Sequence, residues 1–161
     1  MIKHLPGRTK QELQVIFNNL SPKENLRTGV KHGIVWLVKD AIAAGADVHA
    51  YDDRALRWAS NNGHAEVVKL LLDAGADVHA WDNNALQLAS AYGHAEVVKL
   101  LLDAGTNVHV WDDYALRYAN QRGHTEVVKL LKNNHRYINK MKRFFNISTS
   151  TSNSSTTSTS G

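Results

Sequence analysis

Between residues 52 and 132 the apolar positions follow two short helical rhythms that alternate along the chain. In "RALRWASNN", residues 54–62, Leu56, Ala59 and Ser60 fall at i, i+3 and i+4, one face of a helix. In "AEVVKLLLDA", residues 65–74, Val67, Leu70, Leu71 and Ala74 make an i, i+3, i+4, i+7 stripe. Gly63 lies between the two stretches and Gly75 follows the second, where a left-handed residue can end a helix. The pattern predicts a pair of antiparallel helices. Glu66 stands in the first turn of the second, where the helix dipole favours an anion. Asp53, and Asn83 and Asp113 further on, are expected as N-caps of the first helices, their side-chain oxygens taking N–H groups of the first turn.

This pair recurs with an offset of 30 residues. "HAEVVKLLLDAG" stands at 64–75 and again, unchanged, at 94–105, and "HTEVVKLLKNNH" at 124–135 is a near copy. Gly63, Gly93 and Gly123 align, as do His64, His94 and His124; His79 with His109 and Trp81 with Trp111 share a later register. One period earlier the match is weaker, but Leu26, Gly33, Gly45, Asp47, His49 and Tyr51 keep step. The units are therefore 22–51, 52–81, 82–111 and 112–135. A helix pair of about 30 residues cannot bury its apolar stripe alone, whereas stacked copies bury it against one another. Small residues such as Ala55, Ala59, Ala85 and Ala89 let the first helices approach closely. The expected fold is an all-α solenoid of about four stacked helix-turn-helix repeats, closed by a capping helix at each end.

The ends differ from the repeats. Residues 1–21 are expected to form an N-terminal cap, with Leu13, Ile16, Phe17 and Leu20 on one side of "QELQVIFNNL"; Ser21 and Pro22 make an N-cap and first-turn pair. Residues 136–147 are expected as a basic capping segment with Tyr137, Ile138, Met141, Phe144 and Phe145 on one face. Residues 148–161, rich in serine and threonine, have no charge and are expected to be disordered. Net charge is +4, yet Lys129, Lys132, Arg136, Lys140, Lys142 and Arg143 alone supply six positive charges, and no acid falls within residues 129–145. The basicity thus belongs to one end. The absence of cysteine excludes disulfides, thiolate metal sites and a cysteine nucleophile, and it suits a reducing compartment. "MIKHLPGRTK" lacks an apolar signal core, and no apolar run is long enough for a membrane span. A monomeric intracellular, cytoplasmic protein is expected.

"NGHAEVVKLLLDAGADVHAWD" resembles the ankyrin repeat: its outer helix, its "GAD" turn and the start of its projecting finger. The resemblance spans about residues 22–132. It implies a scaffold that binds another protein through its turns and first helices and that catalyses nothing. Two features depart from the family pattern. The period is 30, against about 33 in the family, and "RALRWA", "NALQLA" and "YALRYA" stand where "TPLHxA" is usual. The finger is therefore expected to be a bare turn and not a two-stranded hairpin. The compact form is similar to the ankyrin proteins encoded by giant DNA viruses, which would imply the cytoplasm of a host cell.

Positions that stacking fixes should agree between units, and positions left to specify a partner can differ. The differing ones cluster on the first helices and the turns before them. The candidate partner-binding residues are Arg54, Arg57, Trp58, Asn61, Asn84, Gln87, Tyr92, Tyr114, Arg117, Tyr118 and Arg122, a set rich in the arginine and aromatic side chains that anchor interfaces. Tyr51, Trp81 and Trp111 recur in register and are expected as packing residues over the turn. Nine histidines raise the question of a metal. Equivalent histidines of adjacent units stand about 8–10 Å apart, too far to share an ion with ligand bonds of about 2 Å. No metal and no cofactor are expected; the imidazoles are expected to bond loop backbone groups. No phosphate loop, nucleophile elbow or HExxH motif is present, so no catalytic residue is assigned. Two alternative roles follow from the ends. "HLP" and "IFNNLSPKENL", within residues 4–26, resemble an F-box, the tether of ubiquitin-ligase substrate adaptors, though the gap between them is longer than in that pattern. The basic segment 129–145 could meet a nucleic acid or an anionic membrane, a use disfavoured against a capping role.

Overall fold

The computed structural model describes residues 9–109 and 113–150; of the last helix beyond Arg136, only the side chains of Asn139 and Arg143 are described. Nine helices form among the described residues: α1 (Lys10–Phe17), α2 (Pro22–His32), α3 (Val35–Ala43), α4 (Ala50–Asn62), α5 (Ala65–Asp73), α6 (Ala80–Ala91), α7 (Ala95–Asp103), α8 (Tyr114–Gln121) and α9 (Thr125–Ser150). Each of the pairs α2–α3, α4–α5, α6–α7 and α8–α9 packs within itself and against its neighbours. The first helices α2, α4, α6 and α8 lie side by side in one layer, and α3, α5, α7 and α9 in the other. No strand forms among the described residues, so the fingers there are bare turns.

One apolar core runs the length of the stack. Leu56, Ala59, Val67, Val68 and Leu71 are fully enclosed, and Leu86, Ala89, Val97, Val98 and Leu101 repeat them one unit on. Leu70 and Ala74, from the stripe read in the sequence, are only half-buried. Val67, Val68 and Leu71 belong to the core shared along the stack, so the buried face extends to Val68, which the stripe omits.

Two polar devices join the units. His64, His94 and His124 each lay an imidazole on the glycine that ends the preceding first helix, Gly33, Gly63 or Gly93. The Nε2 atom of each lies within hydrogen-bond distance of a backbone carbonyl near that helix end: Lys31 at 3.4 Å, Asn61 at 3.0 Å and Ala91 at 3.1 Å. The last carbonyls of a helix have no partner of their own, and the following unit supplies one.

The second device is in the turns. Asp53 and Asn83 are buried and have positive φ, 52° and 60°. The expected N-caps are not formed. Asp53 Oδ1 instead accepts the His49 Nδ1–H at 3.1 Å and the Asp77 backbone N–H at 2.8 Å. Asn83 Oδ1 accepts from His79 Nδ1 at 2.9 Å and from the Asn107 N–H at 3.1 Å. Asp113 makes no bond to its helix's first turn and meets His109 Nδ1 at 2.7 Å. The left-handed backbone aims Asp53 and Asn83 across to the next turn, away from the helical residues that follow them. Asp47, Asp77 and Asn107 then accept the N–H of the residue two places on, the local bond typical of these side chains.

At the N-terminus, Thr9 and Glu12 make a capping box for α1, as Ser21 and Glu24 do for α2 with Pro22 in its first turn. Phe17 is buried and meets Trp36 edge-on at 5.9 Å, while Val15, Ile16 and Leu20 stay exposed. At the other end, residues 136–147 are a continuation of α9 and not a separate element. The helix runs three residues into the serine- and threonine-rich segment, because nothing from Thr125 onward breaks it before Ser150: no glycine or proline occurs there. The rest of the expected disordered tail, 151–161, lies outside the described residues, as do the side chains of Tyr137, Ile138, Met141, Phe144 and Phe145.

Gly63 tests the first device. A Cβ there would sit 2.5 Å from His94 Nδ1, at φ 73°, whereas one at Gly75, with φ 91°, would meet nothing within 4 Å. Gly63→Ala should therefore cost about 3 kcal/mol in chemical denaturation and Gly75→Ala about 1 kcal/mol; equal losses would mean that the imidazole contact contributes nothing. Asp53 tests the second. Asp53→Ala should destabilise by about 1–3 kcal/mol and speed amide exchange at Asp77, while Asp53→Asn should be close to neutral. Faster exchange at Ala55 and Leu56 alone would restore the capping role.

Candidate functional site

Within their bounds, α4 and α6 each open on a kinked turn of left-handed residues: Tyr51, Asp52 and Asp53 in one, Trp81, Asp82 and Asn83 in the other, with φ between 52° and 60°. Consecutive non-glycine residues there are strained by roughly 1–2 kcal/mol each. The turn-to-turn hydrogen bonds described above offset that strain. The geometry throws the aromatic side chain outward. Tyr51 and Trp81 are each 62% exposed, so the expectation that they cover the turn as packing residues is not met. Trp111 lies outside the described residues.

These rings carry cations. Lys23 Nζ donates to the Tyr51 hydroxyl at 3.1 Å and lies 5.1 Å from the ring centroid. That hydrogen bond and the ammonium charge hold the Tyr51 phenol below its ordinary range. The Arg54 guanidinium stands 4.3 Å from the Trp58 ring centre and 5.8 Å from that of Tyr51. Arg57 lies over Trp81 at 4.7 Å and donates from Nη2 to the Tyr51 carbonyl at 3.1 Å. Trp81 in turn donates its indole N–H to Asp52 Oδ2 at 3.1 Å, tying neighbouring turns together. Such contacts are worth about 0.5–1 kcal/mol each when exposed, and they hold flexible cations in place.

The candidate residues therefore divide into three groups on one layer of the stack. Arg54 and Trp58 line a solvent-open cleft between α2 and α4, which Tyr51, Lys23 and Arg27 also line, while Arg57 is held over Trp81. Gln87 and Asn84 follow on α6, Gln87 donating to the Asp82 carbonyl at 2.9 Å. Tyr114 and Tyr118 stack at 4.1 Å on α8, and a hydrogen bond to Tyr118 raises the Tyr114 phenol above its usual range. Arg117, on the same helix, is exposed. Tyr92 and Arg122 form the third group at the far ends of α6 and α8, with Arg122 5.3 Å from the Tyr92 ring and donating to the Ala91 carbonyl at 3.0 Å. Asn61 lies at the same end of α4, its carbonyl used by His94. Lys23, Arg27, Tyr51 and Trp81 were not among the candidates. Arg27 could have been found by carrying the 30-residue register back from Arg57.

Residues 26–112 match the family described as Ankyrin repeats (3 copies), and they are more than half of the chain. The chain belongs to the ankyrin-repeat family. Ankyrin repeats serve as protein–protein interaction scaffolds, and the fold is a non-catalytic one. The pair α8–α9 continues the same geometry past the matched residues: His124 packs on Gly93 as His94 does on Gly63. No curated protein matches the chain significantly. Among the described residues no three metal-binding side chains converge, and no helix is long and apolar enough to cross a membrane.

The left-handed turn makes a prediction of its own. Asp82 is exposed, so burial alone gives its replacement no effect; at φ 54° and ψ 46°, however, Asp82→Val should cost about 1–2 kcal/mol. Asp82→Gly should not. Thermal unfolding of the two variants checks this, and a valine variant as stable as the parent would mean that the turn is not left-handed in solution.

Proposed function

We propose that this ankyrin-repeat protein binds a partner protein through the layer made by its turns and first helices, using Arg54, Arg57, Trp58, Asn61, Asn84, Gln87, Tyr92, Tyr114, Arg117, Tyr118 and Arg122 as contact residues. One observation carries the reading. Exposed aromatic rings and arginines concentrate on that layer, where stacking does not require them. The second-helix layer instead repeats Glu66, Lys69 and Asp73 as Glu96, Lys99 and Asp103, all exposed. A surface that repeats without change discriminates nothing, while one that varies from unit to unit can hold one partner against others. The cytoplasm is the proposed location, supported by a cysteine-free composition suited to a reducing compartment. The short repeat supports a place among the ankyrin proteins of giant DNA viruses, acting in a host cell.

The adaptor reading has less support. Pro22 to Leu26 belong to α2 and Leu26 is buried in the core, which leaves Val15, Ile16 and Leu20 as the exposed apolar side chains of such a tether.

The full chain, used as bait in quantitative affinity enrichment, tests the proposal. Combined alanine replacement of Arg54, Trp58, Arg117 and Tyr118 should deplete specific partners by roughly ten-fold or more, while alanine at Lys69 and Lys99 should leave them. Trp58 is half-buried, so circular dichroism accompanies each variant, and the exposed pair Arg54→Ala with Arg117→Ala stands in if the full set unfolds. Retention of all partners by a folded variant, or their loss only when residues 1–20 are removed, overturns the assignment.

A further inference from the structure

We infer that the cleft between α2 and α4 receives an acidic, extended peptide segment of the partner, with an apolar side chain in the cleft and carboxylates on its rim. This rests on the protein-binding reading above and names the chemistry of one part of that surface.

The cleft encloses about 80 Å³, is open to solvent, and its wall is mostly apolar. Leu26, Val30, Ala55 and the half-buried Trp58 form its floor. Three cations stand at the rim: Lys23, Arg27 and Arg54. None of them is in an ion pair among the described residues. Arg27 has no hydrogen-bond partner there, Lys23 bonds only the neutral Tyr51 hydroxyl, and Arg54 meets only ring faces. The nearby acids are engaged elsewhere. Glu24 accepts the Ser21 N–H and hydroxyl, which lowers its pKa. Asp53 is held by His49 and Asp77, Asp52 by Trp81, and Asp47, the one acid on the rim, accepts the His49 N–H.

Charge complementarity therefore points to an anion. A guanidinium held 4.3 Å over the Trp58 ring is restricted in its motion, and its fork of N–H donors matches a carboxylate. Apolar floor and cationic rim together fit a peptide in which an aliphatic or aromatic residue is flanked by aspartate or glutamate. A nucleic acid fits less well. The ring faces on which bases would stack already carry cations. The positions on α6 that match Arg54 and Arg57 are the neutral Asn84 and Gln87, and the exposed Asp52 and Asp82 border the patch. A phosphate backbone would leave the positive surface after one cleft.

A random-peptide phage library selected on the immobilised full chain is the test, with enriched peptides synthesised and measured by fluorescence anisotropy at low and high salt. Enriched sequences should carry two or more acidic residues around an apolar one, and binding should weaken with salt. Arg27→Ala and Arg54→Ala should each weaken binding by roughly ten-fold. Arg54→Glu should abolish it, and a peptide with lysine in place of the acid should recover it. Neutral or basic consensus peptides, no enrichment, indifference to Arg27 and Arg54, or tighter binding of a single-stranded oligonucleotide at the same cleft would each overturn the inference. Enriched peptides lost with Arg117→Ala and Tyr118→Ala but not with Arg54→Ala would overturn it while leaving the broader protein-binding reading intact.

Discussion

Each unit of this stack leaves backbone polar groups that only its neighbour satisfies, and the rest of the structure follows from that. A carbonyl near the end of one first helix takes the imidazole of the next unit, as Asn61 takes His94. The backbone N–H of one turn finds the side chain of the turn before it, as Asp77 finds Asp53. Apolar burial supplies most of the driving force between units, but it is tolerant of small slips. Hydrogen bonds at 2.8–3.1 Å are not, because a displaced unit would leave a donor or an acceptor without a partner. The bonds therefore set the register in which the oily faces meet. They also explain why His64, His94 and His124 repeat unchanged although none of them is a metal ligand or a catalyst in this reading.

What could be read in the sequence was what is local or periodic. Ser21 and Pro22 opening α2, Gly63 ending α4 and Gly75 ending α5 depend on the few residues around them. The period itself placed α3, α5, α7 and α9 at 35, 65, 95 and 125. The capping box of Thr9 and Glu12 went unread, although its T-x-x-E spacing is a local signal. What else escaped was non-local or conformational. Asp53 in front of a helical stretch has the composition of an N-cap; only its positive φ turns the carboxylate toward a partner 24 residues on. Tyr51 and Trp81 look like packing residues because they repeat, yet the same left-handed turn points them outward.

The candidate surface was legible in part, for a related reason. Comparing copies finds positions that differ, so Arg54, Arg57 and Trp58 emerged while the recurrent Tyr51 and Trp81 were set aside. The structure places variable and recurrent residues in one assembly, in which Arg57 lies over Trp81 and Arg54 is held between Trp58 and Tyr51. Lys23 and Arg27 belong to the unit whose sequence matches least well, and their role shows only where α2 and α4 close around the cleft. Repetition supplies the platforms and variation supplies what stands on them.

This joins stability to recognition in the same few residues. The strained turn persists because Asp53 and Asn83 make bonds that a relaxed backbone would lose. Once held, it presents an aromatic ring beside the preceding first helix, and the ring fixes a cation whose long side chain would otherwise sample many rotamers. Ordering the arginines before a partner arrives lowers the entropy lost on binding. The turn bonds thus lie upstream of affinity as well as of folding. A surface change that leaves every partner contact in place but relaxes the turn should weaken recognition through loss of order alone, so binding residues and scaffold residues in this stack cannot be separated by position.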